Sequence, residues 1–409
     1  MLFRSIRFSD VRIKESDIAL IQYTSGSTSK PKGVEIRHSN VISNQRMIRD
    51  AFDHRERLVV IAWAPLHHDQ GLIGNLIQPL FIGGCSVMLP PVAFFRDPML
   101  WLELISRYRA HTSGGPNFAF EACVNRYDKI RGSTLDLSCW KVAFNGAEPI
   151  SIKALREFSK TFQQHGFSNE AFFPCYGLAE GTLFISGGPA HHGYKVLSSP
   201  DGTGDVVGTG LVHQDVELAI IDKEQQLVSD GEVGEICLRG PNITEGYWGQ
   251  SKNQSENFIS IRGNQDLYFA TGDLGFLSDG ILYITGRKKE LIILRGRNIY
   301  PYDIENTISA SHEAFRLGRC AVFSRLVDGA DCIFSVQEIN RESRGLVNFS
   351  EIAGVVRRNV LELHDLMIHR ICFVQFGFLP KTTSGKIKRL SVDSVIADPS
   401  NKKYIYGMF

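Results

Sequence analysis

Gln22-Tyr-Thr-Ser-Gly-Ser-Thr-Ser-Lys-Pro-Lys-Gly-Val34 decides the reading of this 409-residue chain. An apolar run, Ile18–Ile21, leads into it and reads as a buried strand. The small residues Ser25, Gly26, Ser27 and Thr28 then precede Lys30 and Lys32. Glycine lets backbone N–H groups approach a ligand closely, and hydroxyls add compact donors. Lysine supplies a point charge suited to phosphate. The same composition also suits a flexible polar loop with solvated lysines. The order of Gly, Lys and Ser/Thr is not that of the Walker loop, so a nucleotide held here is held in another fold.

Working outward, the length suggests two or three domains. A hydrophobic content of 43% and a charged content of 22% are ordinary for a globular protein with a sizeable core. The net charge of +1 gives no global field for nucleic acid or anionic membrane. The eight cysteines form no CxxC pair and lie mostly in apolar surroundings. They read as reduced core residues of a cytoplasmic protein, not as a disulfide frame or zinc site. Met1–Asp17 lacks the apolar core of a signal peptide, and no apolar run nears the roughly 20 residues that span a bilayer.

Strand-like and helical patterns alternate through the first half. Leu58–Ala64 and Trp140–Phe144 read as strands, and Met99–Ala110 and Ser151–Gln164 as helices. Alternation of this kind favours an α/β layer fold with a mainly parallel sheet. After about Gly187 short glycine-punctuated strands take over (Val216–Ile221, Gly234–Leu238, Ile281–Ile284), suggesting a smaller β-rich subdomain. Residues 285–301 form a turn-rich basic junction. A mixed α and β pattern follows: Tyr302–Ala310 and Glu351–Leu363 as helices, Cys320–Phe323, Cys332–Val336 and Ile371–Phe376 as strands.

Several loops carry residues that core packing does not require. Trp63–Gly71 places His67, His68 and Asp69 after a strand; neighbours on an extended segment face opposite ways, which disfavours a metal shared by the two histidines. Asn145-Gly-Ala-Glu148-Pro149 and Pro174-Cys-Tyr176-Gly177-Leu-Ala-Glu180 close apolar strands, where open α/β sheets bind ligands. An aromatic beside a glycine offers a face for a base, and a nearby carboxylate can hold Mg²⁺ bridging phosphates. Thr271-Gly272-Asp273 reads in isolation as a turn, with Asp273 able to accept from a ribose diol. Lys381-Thr-Thr-Ser-Gly385-Lys386-Ile-Lys388-Arg389 is either a solvated terminal lysine run or a lid loop carrying a catalytic cation.

Taken in order, these segments resemble the adenylate-forming superfamily of acyl- and aryl-CoA synthetases, luciferases and peptide-synthetase adenylation domains. The matching segments are Thr24–Gly33, Pro65–Gly71, Tyr176–Glu180, Thr271–Asp273, Gly286–Arg287 and Pro380–Lys386, and the likeness runs from about residue 17 to the end. His67-His-Asp-Gln-Gly-Leu-Ile-Gly74, Gly115-Pro-Asn-Phe-Ala119, Phe144–Pro149, Pro174–Glu180 and Arg295-Gly-Arg-Asn298-Ile-Tyr-Pro301-Tyr-Asp-Ile-Glu305 are most similar to fatty acyl-AMP ligases.

The resemblance implies a large α/β adenylate-forming domain over 1–288. It would combine parallel-rich sheets with a small β-barrel-like subdomain at about 200–285, followed by a small α+β lid domain over 289–409. It implies ATP and Mg²⁺ as cofactors, a fatty acid as substrate, and an acyl carrier protein (alternatively CoA) as acyl acceptor. Thr24, Ser25, Gly26, Ser27, Thr28 and Lys32 would cradle the phosphates. Tyr176, beside Gly177, would stack on adenine, with Gly146, Ala147 and Glu148 around it. Glu180 and Thr24 would serve the metal, Asp273 and Arg287 the ribose. His68 would line the junction with the acyl pocket, Lys386 would bridge carboxylate and α-phosphate, and Lys289 would mark the hinge.

Two departures accompany the resemblance. Family members carry a substantial segment ahead of the phosphate loop, so an inactive, truncated nucleotide- or carrier-binding relative is the non-enzymatic alternative. The stretch Pro189–Gly210 is short where fatty acyl-AMP ligases carry an insertion, which favours the CoA-ligase alternative.

Overall fold

The computed structural model describes residues 12–24, 31–128, 130, 134–200, 204–250, 256–261, 266–294, 297–316, 318–382 and 386–409. Its largest feature is a mixed sheet with two halves. In the parallel half, β7 (Phe172–Gly177), β6 (Val142–Asn145), β5 (Thr112–Gly114), β3 (Val59–Ala62) and β4 (Cys85–Met88) lie side by side in that order. Each neighbouring pair is parallel. Short apolar runs such as Val59-Val-Ile-Ala62 suit strands covered on both faces.

The sheet changes character at β8 (Phe184–Gly187), which pairs antiparallel with β7. The antiparallel half continues through β10 (Asp205–Val212), β15 (Ile281–Arg287), β14 (Leu267–Ser278), β12 (Gly234–Arg239) and β11 (Glu217–Ile221), with β9 (Val196–Ser198) and β13 (Phe258–Ser260) attached. The β-rich region expected from the sequence is therefore hydrogen-bonded edge to edge with the parallel half.

Helices α1 (His38–Ala51), α2 (Met99–Tyr108), α3 (Asn117–Asn125) and α4 (Ile152–Phe162) belong to the first half of the chain. The Ser151 hydroxyl caps α4 by accepting from the Ala154 N–H at 3.2 Å. Leu155, Phe158 and Phe162, at helical spacing, enter a core with Trp101, Phe120, Trp140 and Phe172. A second core, including Phe144, Phe173, Ile236, Phe269 and Leu282, runs beneath the join of the two halves.

The C-terminal part is a small domain built on a second sheet. Its order is β18 (Cys320–Val327), β19 (Ala330–Ile339), β20 (Ile368–Gln375) and β21 (Ile405–Met408). α6 (Phe349–His364) is the crossover between parallel β19 and β20, capped by the Asn348 side chain. α5 (Pro301–Ala310) packs with α6, and α7 (Arg389–Ala397) puts Val392 into the core of the other face. Between the sheets lies a short hairpin, β16 (Ile292–Leu294) with β17 (Arg297–Ile299).

Two expectations need correction. Ile18–Ile21 lies in a strand, β1 (Ile18–Tyr23), but not a buried one: Ile18 is 37% and Tyr23 61% exposed. Among the described residues β1 pairs only with β2 (Gly33–Arg37), so the hairpin has one free edge; Gln22 is the buried residue of β1, while β2 buries Val34 and Ile36. Thr271-Gly272-Asp273 is not a turn that ends a strand. β14 runs through it, and the register against β12 slips there, with Gly272 at φ +74°, a value that suits glycine.

Candidate active site

Parallel strands release their C-terminal loops along one edge, which is where open α/β sheets gather ligand groups. β3 leads into Pro65–Gly71, β5 into Gly115–Asn117, β6 into Gly146–Pro149 and β7 into Leu178–Glu180. Gly177 closes β7 where a side chain would collide with the Leu183 carbonyl. β7 also borders the antiparallel half, which brings β14 and β15 within reach of Tyr176.

That reach is direct. The buried Tyr176 hydroxyl donates to Asp273 Oδ2 at 2.7 Å. Arg287 Nε faces Asp273 Oδ1 at 2.9 Å, joining adjacent strands. Burial and the neighbouring Asp273 carboxylate push the Tyr176 phenol well up, so it remains a donor. The Asp273 carboxylate in turn raises the Arg287 pKa.

A second tyrosine–carboxylate pair lies at the phosphate-loop side. The Tyr247 hydroxyl donates to Glu180 Oε1 at 2.8 Å, and Lys32 Nζ stands 4.8 Å from the centre of the Tyr247 ring. Burial raises the Glu180 carboxyl, opposed by the Tyr247 hydrogen bond. The Thr24 N–H donates to the Lys32 carbonyl at 3.0 Å, closing the base of the loop. Ser25, Gly26, Ser27 and Thr28 lie outside the described residues.

The histidine loop is a turn, not the extended segment expected. The exposed His67 offers its carbonyl to Gln22 Nε2 at 2.9 Å, while His68 Nδ1 lies 2.5 Å from Asp69 Oδ1. A π-helical segment, Gln70–Ile77, follows directly, an arrangement enriched at functional sites. Burial alone would raise Asp69, but the His68 hydrogen bond and the Gln70 N–H hold it below the usual carboxylate range.

Glu148 accepts the Asn117 N–H at 2.9 Å, at the start of α3. Asn117 is a hub: its side chain donates to the Pro149 carbonyl at 2.8 Å and to the Tyr302 hydroxyl of α5 at 3.5 Å. It accepts from Ser151 N–H at 3.0 Å. Ala147, exposed between Gly146 and Glu148, holds φ +71°, a strained value for a residue with a side chain. Phe118 rests half-buried on Trp63 and Phe95, whereas Phe120 and Cys123 belong to the core.

The C-terminal domain contributes a cation to this edge. Lys386 is influenced by Glu148, Asp69 and Asp273, which favour its charge, and by Arg287, which opposes it. Burial is the largest effect and lowers its pKa. Lys386 in turn lowers Glu148, which burial pushes up. Its loop is closed by the Thr382 N–H donating to the Lys386 carbonyl at 2.7 Å. Lys289 is exposed in the turn after Arg287.

Sequence reading missed Tyr247, and it quoted Asn117 and Tyr302 within matching segments without giving either a role. Gly246-Tyr247 has the same aromatic-beside-glycine composition that marked Tyr176-Gly177, and that signal was there to use. Asn117 and Tyr302 gain meaning only from a contact across 185 positions of chain.

Residues 5–248 match the family described as AMP-binding enzyme, and residues 289–397 match that described as Disco-interacting protein 2-like, AMP domain. The chain belongs to the adenylate-forming, AMP-binding enzyme family. It is 38% identical to the medium-chain-fatty-acid–[acyl-carrier-protein] ligase TtuA of Teredinibacter turnerae, over 94% of this chain and 64% of that protein. It is 34% identical to the long-chain-fatty-acid–AMP ligase FadD32 of Mycolicibacterium smegmatis, over 94% of this chain and 70% of that one. Among solved structures, one from work on fatty acyl-adenylate ligases of E. coli and L. pneumophila superposes with a TM-score of 0.84 at 33% identity, covering 94% of this chain and 71% of the other. The L. pneumophila fatty acyl-adenylate ligase in complex with acyl adenylate and pyrophosphate gives 0.68 at 35% identity, covering 98% and 72%. The chain thus spans about two thirds of the length of the curated relatives it matches.

Proposed function

We propose that this chain activates a fatty acid with ATP as its acyl-adenylate, releasing pyrophosphate, and then passes the acyl group to an acyl carrier protein. The observation that carries this reading is Lys386. A lysine from the C-terminal domain lies in the field of Asp69, Glu148, Asp273 and Arg287 at the sheet's loop edge.

In the first step a carboxylate oxygen attacks the α-phosphorus; an O–P bond forms, the α–β bridging bond breaks, and pyrophosphate leaves. Two anions must approach each other. Lys386 would neutralise the attacking carboxylate and α-phosphate, and Lys32 the leaving pyrophosphate, in a site where charge stabilisation is the main resource. Tyr176 would carry the adenine, with Gly146, Ala147 and Glu148 beside it. Asp273 and Arg287, fixed by their mutual contact, would hold the ribose.

Among the described residues no group of three or more His, Cys, Asp or Glu could hold a metal ion. A magnesium ion in a nucleotide site is held by one or two carboxylates plus substrate phosphates. Glu180, beside Tyr247 and Lys32, would hold it with Thr24, and it would supply further charge neutralisation. In the second step an acceptor thiol attacks the acyl carbon and AMP leaves.

We place the boundary between the large domain and the lid at 288/289, with Lys289 as the hinge. No helix among the described residues is long and apolar enough to cross a membrane. We take the protein to be cytoplasmic, with its free cysteines, Cys123, Cys237, Cys320 and Cys372 among the buried ones, as reduced core residues.

Fatty-acid-dependent ATP–pyrophosphate exchange tests the reading. Exchange is expected from the wild-type chain and should fall about 10²–10³-fold in Lys386→Ala. Exchange that ignores the fatty acid, or ignores Lys386, overturns it.

A further inference from the structure

We infer that Arg389 is a positioning residue for Lys386, tying the lysine loop to the turn that follows Arg287. The inference rests on the adenylation reading above and adds a residue to it.

Arg389 opens α7 just beyond the Lys386 loop. Its side chain is 13% exposed. Nε and Nη2 donate to the two carboxylate oxygens of Glu305, on α5, at 2.7 and 2.8 Å. Nη1 pairs with Glu290, in the turn after β15. Glu305 also accepts the Val322 N–H of β18 at 2.8 Å. One guanidinium is therefore clamped by two carboxylates from separate elements. Only a planar fork of donors satisfies both at once; a lysine would satisfy them one bond at a time.

Both ends of the clamp lead to the site. The Glu290 N–H donates to the Arg287 carbonyl at 3.0 Å, and Arg287 meets Asp273 at 2.9 Å. Toward Lys386, the loop is a closed hairpin. Lys381 bridges Ile387, the Lys386 N–H donates to Thr382 Oγ1 at 3.1 Å, and the Lys388 N–H donates to the Pro380 carbonyl at 2.8 Å. Asp273, Arg287, Glu290, Arg389 and the Lys386 hairpin thus form one continuous set of contacts. Arg389 acts through Lys386 and needs no contact with the reactants. With the hinge proposed at Lys289, Glu290, Glu305 and Arg389 all lie on the lid side, and the Glu290 N–H to Arg287 carbonyl bond is the contact of this set that crosses it.

The test uses Arg389→Lys, which keeps the charge but loses the fork, and Glu290→Gln, which keeps the Glu305 fork and releases only the turn. Two readouts are taken on each folded variant, checked by circular dichroism. The first compares the half-reactions: ATP–pyrophosphate exchange, and acyl transfer from added acyl-adenylate. Arg389→Lys should lower the kcat of exchange roughly 10²-fold, as a misplacement of about 1 Å does, with the KM for ATP held and transfer from acyl-adenylate unchanged. Glu290→Gln should show the same split to a smaller degree.

The second readout needs no activity. Lysines are pulse-labelled with acetic anhydride and quantified by peptide mass spectrometry against the exposed Lys153. Lys386 should label several-fold faster in both variants. Unchanged Lys386 labelling in the folded variants overturns the inference, as does equal loss of both half-reactions. Absence of exchange in the wild-type chain would instead sink the adenylation reading, and the labelling would still decide the role of Arg389. If Arg389→Lys fails to fold, Glu290→Gln decides alone.

Discussion

The sheet edge and the C-terminal lysine hairpin hold their charges in opposite ways. At the sheet edge each acid already has a partner: Asp273 has Tyr176 and Arg287, Glu180 has Tyr247, Glu148 has Asn117, and Asp69 has His68. Those groups are settled before any ligand arrives. Among the described residues Lys386 has no such settlement, with no ion pair to its ammonium. Burial works against its charge, and the acids Glu148, Asp69 and Asp273 of the other region support it. Prepaired acids build a stable frame, while a half-buried cation without an ion-pair partner among the described residues is poorly stabilised and available to a substrate anion.

The sharpest break of that comparison is Lys386→Met. Adenylation should fall about 10²–10³-fold while the thermal midpoint is held or raised, because a partly desolvated, poorly paired charge is removed. A lowered midpoint in differential scanning calorimetry would mean that Lys386 is part of the frame and that the contrast is wrong.

Acid sharpens the frame side. His54 is buried, with its ring nitrogens bonded to Thr112 at 2.9 Å and Gln78 at 3.2 Å. Burial, with His111 nearby, lowers its pKa to about 3. In the unfolded chain histidine titrates near 6.5. Below that pH the unfolded state binds a proton that folded His54 refuses, so stability is lost as pH falls from 6.5 toward 3. The loss should reach about 2 kcal/mol at pH 5. Urea titrations at pH 7 and pH 5 measure it, and His54→Gln should flatten the slope. By contrast, burial and the neighbouring Arg319 lower Lys381, beside the lysine loop, to about 8.

Tyr176→Phe takes one partner from Asp273 while Arg287 remains. Chemical denaturation should show a cost of about 1–2 kcal/mol. A neutral result would mean that Asp273 is not settled by its tyrosine.

The smallest effect is expected at Ala147, at φ +71° in the exposed loop after β6. Ala147→Gly should gain about 1 kcal/mol in a folding titration by relieving the left-handed strain. A loss there would place stabilising contacts on the alanine methyl.

The two regions also differed in legibility. Loops at the parallel edge announced themselves because each closes a short apolar strand with residues that no core needs, as Tyr176-Gly177 and Asn145–Pro149 do. Hydrophobic periodicity likewise marked α4 and α6, since Leu155, Phe158 and Phe162 recur at helical spacing. Contacts between distant segments left no local trace. Tyr247 reaches Glu180 across 67 positions and Arg389 reaches Glu305 across 84. The burial of Ile18–Ile21 was misread because an apolar run fixes strand propensity, not the number of strands that flank it. Thr271-Gly272-Asp273 looked like a turn because glycine at positive φ serves a bulge equally well.

The most direct test of the central claim measures both half-reactions of Lys386→Ala on one preparation. Fatty-acid-dependent pyrophosphate exchange should collapse, while acyl transfer from added acyl-adenylate to holo-carrier protein proceeds at the wild-type rate. Equal loss of both steps, or retention of exchange, would contradict the assignment of Lys386 as the cation that the lid brings to the sheet edge for adenylation.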